Sequence, residues 1–267
     1  MEKYKEIERS IIKKFRKEIW GKFVKAIKDF DMIKENDKIA VCISGGKDSF
    51  LMAKCLEELL RHGKFKYELE FIVMDPGYNQ ENIEKIKENL NLMNIKAHIF
   101  STPIFKVADT SDSPCYLCAK MRRGYLYDYA KRLGCNKIAL GHHYDDVIET
   151  VMMNMLFNGQ FSSMMHKLHS DHFENMELIR PLYFIREKDI QSFVKYNNLE
   201  FIDCACNVTK KDIGKRKVIK ELIKDLKDIY KDADKCIFTS TCNVNLNTMI
   251  SYKKDEKKYH FLDEYDK

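Results

Sequence analysis

Ile39-Ala40-Val41-Cys42-Ile43-Ser44-Gly45-Gly46-Lys47-Asp48-Ser49 is the most informative stretch of this chain. Its apolar, β-branched start predicts a buried strand, and the apolar pattern that resumes at Phe50 predicts a helix. Two glycines and a lysine between a strand and a helix are typical of a phosphate-binding turn, because unpaired backbone N–H groups at a helix start attract anions. The spacing does not match the Walker A motif. The alternative is a tight turn without a ligand.

Strands and helices alternate beyond this turn. Further strands are predicted at 69–74, 96–100 and 137–140, and helices at 50–61, 80–93, 117–133, 145–157, 187–196 and 213–230. This order predicts an α/β fold with a doubly wound parallel sheet, a basic N-terminal helix and a helical C-terminal part. Ligands bind such sheets at the carboxyl ends of strands. We therefore expect 44–49, 75–78 and 141–146 to meet in one crevice.

The predicted domain organisation has four parts. A basic helix occupies 1–34, where Ile7, Ile11 and Phe15 begin an apolar stripe with a spacing of four residues. The α/β domain follows at 35–200, a helical extension at 201–252 and a charged, frayed tail at 253–267. In the first helix, Lys13, Lys14, Arg16 and Lys17 are either RNA phosphate contacts or a solvated helix face.

Composition limits the class of protein. The 267 residues carry a net charge of +6 and 45% hydrophobic residues, which is typical of a globular protein and compatible with a nucleic-acid partner. No apolar run reaches the ~18–20 residues of a membrane span, and the charged N-terminus lacks the apolar core of a secretory signal. We expect a cytoplasmic protein with no membrane contact, in which the nine cysteines do not form a disulfide framework.

Cys115 and Cys118 form a C-x-x-C pair just before a predicted helix. Such a pair is a redox dithiol, half of a zinc site, part of an iron–sulfur site, or a pair of buried inert cysteines. The later Cys204-Ala205-Cys206 has a spacing that suits a closed zinc site poorly. A cubane cluster held by Cys115, Cys118 and either Cys206 or Cys204 fits better, and it leaves one iron without a protein ligand. Cys206 is preferred over Cys204.

The chain resembles the tRNA 2-thiocytidine synthetases, a family of PP-loop ATP pyrophosphatases. The matching segments are 37–49, Cys115-x-x-Cys118 with Arg122-Arg123-Gly124, 137–146 with Gly141-His142-His143-x-Asp145-Asp146, 179–182 and 187–190. The resemblance covers about residues 10–225. It implies an adenine nucleotide α-hydrolase-like fold and ATP-dependent replacement of the C2 oxygen of an anticodon-loop cytidine by sulfur. It also implies a [4Fe-4S] cluster bound by three cysteines, and Asp48 beside the phosphates is a candidate ligand for Mg²⁺. Where the family typically has a second C-x-x-C, this chain has Cys204-Ala205-Cys206.

The resemblance and the residue chemistry together assign the candidate site. The ATP-binding residues are Ser44, Gly45, Gly46, Lys47, Asp48, Ser49, Asp75 and Gly141. The catalytic residues are Lys47, Asp48, Asp145, Asp146 and Arg122. Candidate tRNA contacts are Lys13, Lys14, Arg16, Lys17 and Arg123. Plain helix capping is the alternative for the Asp145-Asp146 pair.

The implied partners are tRNA and a sulfur donor, either a cysteine desulfurase or sulfide. Many members of the family are homodimers. Three other functions stay open from the sequence: a PP-loop tRNA 2-thiouridine synthetase, a PP-loop ligase without a cluster, and a non-catalytic metal-containing tRNA-binding protein. Thiouridine synthetases usually carry extra N-terminal cysteine pairs, and this chain has no cysteine before Cys42.

Overall fold

The computed structural model describes residues 2–63, 66–108, 114–202, 209–263 and 265. The helices are α1 Lys3–Ile12, α2 Gly21–Asp29, α3 Lys47–His62, α4 Gln80–Leu92, α5 Ile104–Ala108, α6 Pro114–Arg132, α7 Tyr144–Asn158, α8 Glu187–Asn197, α9 Thr209–Ile229 and α10 Ala233–Ser240. The strands are β1 Lys38–Ile43, β2 Glu68–Asp75, β3 Ala97–Ser101, β4 Lys137–Ala139, β5 Lys167–His169, β6 Glu177–Ile179, β7 Ser251–Lys254 and β8 Lys257–His260. None of the described helices is both long and apolar enough to cross a bilayer.

A six-stranded sheet with the order β3-β2-β1-β4-β6-β5 forms the centre of the molecule. All neighbouring strands are parallel except β5, which runs antiparallel to β6 at one edge. Val41 of β1 is in register with Phe71 of β2 and Ala139 of β4. The ends of β1, β2 and β4 therefore lie along one edge of the sheet, as the sequence predicted.

The side chains of β1 alternate between two apolar layers, as strand geometry requires. Ile39, Val41 and Ile43 belong to a large cluster that also includes residues from the N-terminal helices, α3, α4 and α8. Ala40 and Cys42 belong to a smaller cluster on the other face, with residues from α6. Because helices cover both faces, the predicted doubly wound arrangement is confirmed.

The N-terminal segment is not one continuous helix. Between α1 and α2 lies a π-helical turn, Arg16–Trp20, in which the backbone N–H of Trp20 donates to the carbonyl five residues back, that of Phe15 (3.2 Å). The reason is the spacing of the apolar stripe. Residues four apart advance about 400° around an α-helix, which is about 40° more than one full turn, so the stripe gradually rotates away from the core. A wider turn resets it, and Ile7, Phe15 and Phe23 are all buried.

Several elements were not predicted. The structure has α5 in the loop around Pro103, the hairpin β5–β6, and α10, whose Phe238 ring stacks on Tyr144 at 4.4 Å. The predicted frayed tail is wrong over 253–260, because β7 and β8 form a second, two-stranded sheet. Strands of three or four residues give too short a periodic pattern to recognise. The C-x-x-C pair also lies within the first turns of α6, which begins at Pro114, and not before the helix.

Candidate active site

The loop between β1 and α3 depends on Gly45. Its φ of +90° lies in the left-handed region that favours glycine. A Cβ at this position would also lie 2.5 Å from Cδ1 of Ile202 and 2.9 Å from Cδ1 of Ile86. The loop therefore runs directly beneath Ile202, and the helix begins immediately after Gly46 with free backbone donors.

The hydroxyl of Ser49 closes the loop. It donates to the carbonyl of Gly46 (2.8 Å) and accepts from the backbone N–H of Ser44 (3.1 Å). Ser49 is buried, and its oxygen also lies 3.3 Å from that of the Ser44 hydroxyl. The structure thus uses the Ser49 side chain to hold the turn, while the Ser44 side chain and the loop backbone border the cavity.

Gly141 brings the end of β4 against the first turn of α3. A Cβ on Gly141 would lie 3.0 Å from the backbone nitrogen of Ser49 and 3.2 Å from the carbonyl carbon of Asp48. These are backbone atoms of the helix, which cannot rotate away. Gly141 is therefore needed for close packing behind the loop, and it is not among the residues that line the cavity.

Lys47 and Asp48 form the charged part of the loop. The Lys47 ammonium lies 3.3 Å from Asp48 and 3.2 Å from Glu187, the first residue of α8. Burial raises the pKa of Asp48 above its ordinary value, and Lys47 and His143 only partly oppose this. Burial works to lower the pKa of Lys47, but the two carboxylates outweigh it and raise that pKa. The Asp48 Oδ1 atom is buried and has no hydrogen-bond partner among the described residues.

Asp146 belongs to the cavity, whereas Asp145 supports α8. The Oδ2 of Asp146 accepts from the backbone N–H of His143 (2.9 Å), which is one half of a capping box at the start of α7. Burial works to raise the pKa of Asp146, but His143 outweighs it and the pKa is lowered. Asp145 accepts from the backbone N–H of Glu187 (2.7 Å) and lies 3.7 Å from Arg186. Asp146 therefore caps its own helix and also lines the cavity, whereas Asp145 binds the start of α8.

The two histidines of the Gly-His-His segment have different surroundings. His143 is buried and lines the cavity, with its Nε2 atom 3.9 Å from Asp48 Oδ1. The Nδ1 of His142 accepts from Nε of Arg180 (3.3 Å). Burial, followed by the charge of Arg180, lowers the pKa of His142 to about 4. His142 is therefore neutral near pH 7, and its Nε2 carries the proton.

Asp75 shapes the turn that positions Tyr78. Its Oδ1 accepts from the backbone N–H groups of Gly77 (2.8 Å) and Tyr78 (2.7 Å). The Tyr78 hydroxyl in turn donates to the carbonyl of Ser44 (3.3 Å) and lines the cavity. Asp75 was predicted to bind ATP, and the structure places it behind Tyr78, outside the residues that line the cavity.

Arg122 links the cysteine helix to the loop. It lies on α6 and lines the same cavity as Lys47 and Asp48. Its guanidinium carbon lies 5.6 Å from the centre of the Phe105 ring, and its Nε is buried without a hydrogen-bond partner among the described residues. Cys118 is partly buried, is not in a disulfide, and precedes Arg122 by four residues. On a helix these two side chains share a face, about 6 Å apart along the axis.

The cavity that these residues surround has a volume of about 570 Å³. This size is typical of a small-molecule site. Its acidic and basic lining residues are Lys47, Asp48, Arg122, His143, Asp146, Glu149, Glu187, Arg216 and Lys220. The strand ends that were predicted to converge do so here.

Sequence reasoning missed four charged residues of this cavity, two acids on α7 and α8 and two basic residues on α9. Glu149 of α7 lies 3.0 Å from Arg216 and 3.6 Å from Lys220, both on α9. Glu187 lies 3.2 Å from Lys220. Burial raises the pKa of Glu149, whereas Lys220 and Lys47 outweigh burial and lower the pKa of Glu187. The signal available was spacing: Glu149 follows Asp145 by four residues, and Lys220 follows Arg216 by four.

The remaining predicted residues either have side chains outside the described residues or are exposed on the N-terminal segment and on α6. The side chain of Cys115 and the whole of Cys204 and Cys206 lie outside the described residues. Within the described ranges no group of three or more His, Cys, Asp or Glu side chains is arranged to hold a metal ion. Lys13, Lys14, Arg16 and Lys17 are exposed on the N-terminal segment, as is Arg123 on α6, so their contact with tRNA stays a prediction.

Comparison with known proteins gives a consistent result. A family model described as PP-loop domain matches residues 15–226. A tRNA-cytidine(32) 2-sulfurtransferase of Citrifermentans bemidjiense is 37% identical over 225 residues, which cover 83% of this chain and 88% of that protein. One from Shewanella denitrificans is 33% identical over 265 residues, covering 97% of this chain and 79% of that protein.

A solved structure shares the fold. The U34-tRNA thiolase NcsA from Methanococcus maripaludis, which was solved with its [4Fe-4S] cluster, aligns with a TM-score of 0.67. The alignment covers 87% of this chain and 80% of that one, at 22% sequence identity. At this identity the likeness establishes the architecture, which is the α/β arrangement predicted from the sequence.

Proposed function

Because the chain belongs to the PP-loop family and, within it, to the tRNA-cytidine(32) 2-sulfurtransferases, we propose that it thiolates tRNA at the expense of ATP. The reaction replaces the C2 oxygen of an anticodon-loop cytidine by sulfur and releases AMP and pyrophosphate. One observation supports the proposal above all others: Arg122, one helical turn after Cys118, lines the same cavity as Lys47 and Asp48. The cysteine helix and the nucleotide loop thus face one space.

The chemistry has two steps, and each balances without an external oxidant. The C2 oxygen attacks the α-phosphorus of ATP, an O–P bond forms, and the bond to the β-phosphate breaks to release pyrophosphate. A sulfur nucleophile at the oxidation level of sulfide then attacks C2, and the C–O bond breaks so that AMP leaves with the oxygen. Adenylation is needed because an amide-like oxygen is a poor leaving group.

The loop residues would bind the triphosphate. The backbone N–H groups at the start of α3 and the helix dipole favour the anionic β- and γ-phosphates, and Lys47 adds a positive charge. Lys47 is held near the loop by Glu187 before it meets a phosphate. Arg216 and Lys220 also line the cavity and provide further positive charge, which would balance the charge of a nucleotide.

Magnesium fits the carboxylates of this cavity. The buried Asp48 Oδ1 has no hydrogen-bond partner among the described residues, which is the kind of oxygen that a cation binds. Asp146, whose pKa is lowered, stays ionised beside it. When bound, the ion would neutralise charge on the departing pyrophosphate. Asp48 and Asp146 would hold it, and phosphate oxygens and water would complete its ligands.

The cysteines fit an iron–sulfur cluster by their chemistry. Cys118 is a free, partly buried thiol within one turn of the cavity, and Cys115 precedes it in the same helix. Cys206, or Cys204 in its place, would be the third ligand; both follow Ile202, which lines the cavity. A cluster held by three thiolates would supply an iron with an open position for a sulfur ligand. Arg122, which lines the cavity four residues after Cys118, would offset negative charge of the cluster and of the nucleotide.

The target cytidine must leave its stack to enter the cavity, which an anticodon loop allows more easily than a duplex. The protein would work in the cytoplasm, with a cysteine desulfurase or sulfide as donor. Lys13, Lys14, Arg16, Lys17 and Arg123 would contact phosphates of the tRNA, and a homodimer is the expected assembly.

Nucleoside analysis of bulk tRNA tests the proposed function. We expect 2-thiocytidine to be absent from cells that lack the gene and to return with the wild-type gene, but not with Lys47→Ala. Loss of a 2-thiouridine instead would assign the protein to the uridine enzymes. An unchanged nucleoside profile would refute thiolation.

The cluster has its own test. After anaerobic purification, we expect wild-type protein and Lys47→Ala to contain the same amount of iron, because Lys47 lies on the loop and not on the cysteine helix. Cys118→Ser should lose iron, and of Cys204→Ser and Cys206→Ser only the variant that removes the ligand should do so. Zinc in place of iron, or no loss in any cysteine variant, would refute the three-thiolate centre.

A further inference from the structure

The C-terminal hairpin, Ser251–His260, has a face that the proposed chemistry does not use. Its two strands form a separate sheet, and none of its residues is fully buried. The register pairs Tyr252 with Tyr259 and Lys254 with Lys257. Because side chains alternate along a strand, these four residues share one face, which we call the tyrosine face.

The tyrosine face combines flat rings with positive charge. The rings of Tyr252 and Tyr259 are nearly parallel, with an angle of 11° and centroids 5.0 Å apart. They border a cavity of about 390 Å³ that is also lined by Phe261 and Tyr265. Aromatic rings at the rim of a cavity offer a surface on which a further planar group can stack.

The lysines of the hairpin are arranged unfavourably unless an anion is present. Lys254 and Lys257 are exposed and directly opposite each other, and like charges in that position destabilise a sheet. Neither has a carboxylate oxygen within 4.0 Å among the described residues, although Asp255 and Glu256 form the turn between them. Both turn residues have positive φ, at 49° and 63°, as in a type I′ turn, which fixes the register.

We propose that the tyrosine face binds an unpaired nucleotide of RNA, with the base against Tyr252 and Tyr259 and the neighbouring phosphates at Lys254 and Lys257. Stacking does not depend on base identity, and the two cations, which both lie on the turn side of the aromatic pair, can meet phosphates next to a stacked base. The identification of this RNA as tRNA rests on the proposed function. The hairpin lies beyond residue 226, where the PP-loop family model ends.

The opposite face of the hairpin provides a matched control. Lys253 and Lys258 are also exposed and paired across the strands, but they point away from the tyrosines. Lys254→Ala/Lys257→Ala and Lys253→Ala/Lys258→Ala thus remove the same charge from the same hairpin. Binding of the full chain to a tRNA transcript is measured by fluorescence anisotropy without ATP, as a function of salt concentration. The first variant should reduce the slope of log K against log[salt] by about 1.4 to 1.8, and the second should change it much less.

The aromatic contribution is tested in the same assay. Tyr252→Ala/Tyr259→Ala should weaken binding by roughly 5- to 100-fold, whereas Tyr252→Phe/Tyr259→Phe, which keeps the rings, should bind as the wild type does. A larger effect of Lys253→Ala/Lys258→Ala than of the tyrosine-face variant would overturn the proposal. Equal affinity of the alanine and phenylalanine variants would also overturn it.

A lipid surface is the competing partner, because Phe261 and Leu262 next to the hairpin are exposed. Vesicles of phosphatidylcholine with phosphatidylserine serve as the probe. Vesicle binding that Lys254→Ala/Lys257→Ala abolishes, together with unchanged tRNA binding, would replace RNA by a membrane. The binding assay contains no ATP, so its result does not depend on thiolation. Failure of the hairpin proposal can therefore be distinguished from failure of the proposed function, which the nucleoside analysis tests.

Discussion

Replacement of Gly141 by alanine should destabilise the protein, because the new side chain would press against the backbone of the first turn of α3. The added Cβ would lie 3.0 Å from the backbone nitrogen of Ser49 and 3.2 Å from both its Cα and the carbonyl carbon of Asp48. Ordinary contacts of a Cβ are longer, so the first turn of α3 must move by a few tenths of an ångström. Such overpacking costs about 1–3 kcal/mol. The displaced atoms follow the phosphate loop directly, so ATP binding should weaken as well.

Gly124→Ala is the control for this change. Gly124 lies within α6, and a Cβ there would have no neighbour within 4 Å. The same added methyl group should therefore stabilise the protein by about 0.5–1 kcal/mol, because alanine is the better helix former. Thermal unfolding of both variants gives the comparison, with a shift in Tm of about 2–4 °C per kcal/mol for a chain of this size. ATP affinity is measured on the same samples by calorimetry.

The two glycine variants should therefore move Tm in opposite directions, and only Gly141→Ala should lose ATP affinity. An unchanged or raised Tm for Gly141→Ala would mean that β4 and α3 do not approach each other as closely as described. A lowered Tm with unchanged ATP affinity would keep the packing argument and refute the link between Gly141 and the phosphate loop.

Three further variants test the electrostatics of the cavity. Glu187→Gln should tighten ATP binding by about 5- to 30-fold, because it removes a carboxylate 3.2 Å from both Lys47 and Lys220. Glu68→Gln, at the opposite end of the sheet, should leave the affinity unchanged, and a weaker affinity of Glu187→Gln would refute the competition between Glu187 and phosphate. Lys47→Ala should abolish the release of pyrophosphate from ATP in the presence of tRNA, measured by a coupled assay. Release by this variant at the wild-type rate would mean that another residue contacts the phosphates. Between pH 6.5 and about 4 the unfolded chain takes up a proton at His142 that the folded protein does not, so the free energy of unfolding should fall as the pH is lowered through this window. His142→Gln should flatten that part of the pH profile of urea unfolding by about 1–3 kcal/mol, and an unchanged profile would contradict a neutral His142.

Much of the site could be predicted because its residues follow strands directly. Lys47, Asp48 and Asp146 lie four to seven residues after the ends of β1 and β4, and parallel strands bring those ends to one edge. Asp145 and Asp75 occupy similar positions, yet both accept backbone N–H groups of turns and helix starts. Which of two neighbouring carboxylates faces the cavity depends on the side-chain rotamer and on the packing of α8. A one-dimensional pattern contains neither.

Residues on distant segments could not be assigned in the same way. Glu187 belongs to α8 and Lys220 to α9. Glu187 reaches both Lys47 and Lys220 only because these helices pack at the carboxyl edge of the sheet. The missed hairpin β7–β8 has strands of four residues, rich in lysine, without the apolar alternation that marks a strand with one buried face. Its tyrosines stack only after the chain has reversed at Asp255 and Glu256.

The sequence by itself determined the α/β architecture, the phosphate-binding turn and the cysteine pair, because these depend on local periodicity and on residues close together in the chain. Only the tertiary structure decided that Ser49 and Asp75 hold turns, that Gly141 serves packing, and that Glu187, Arg216 and Lys220 complete the cavity. The physical reason is that hydrogen bonds and ion pairs are satisfied by whichever partner the folded chain brings within about 3–4 Å. That partner is set by helix packing across the sheet and not by spacing along the chain.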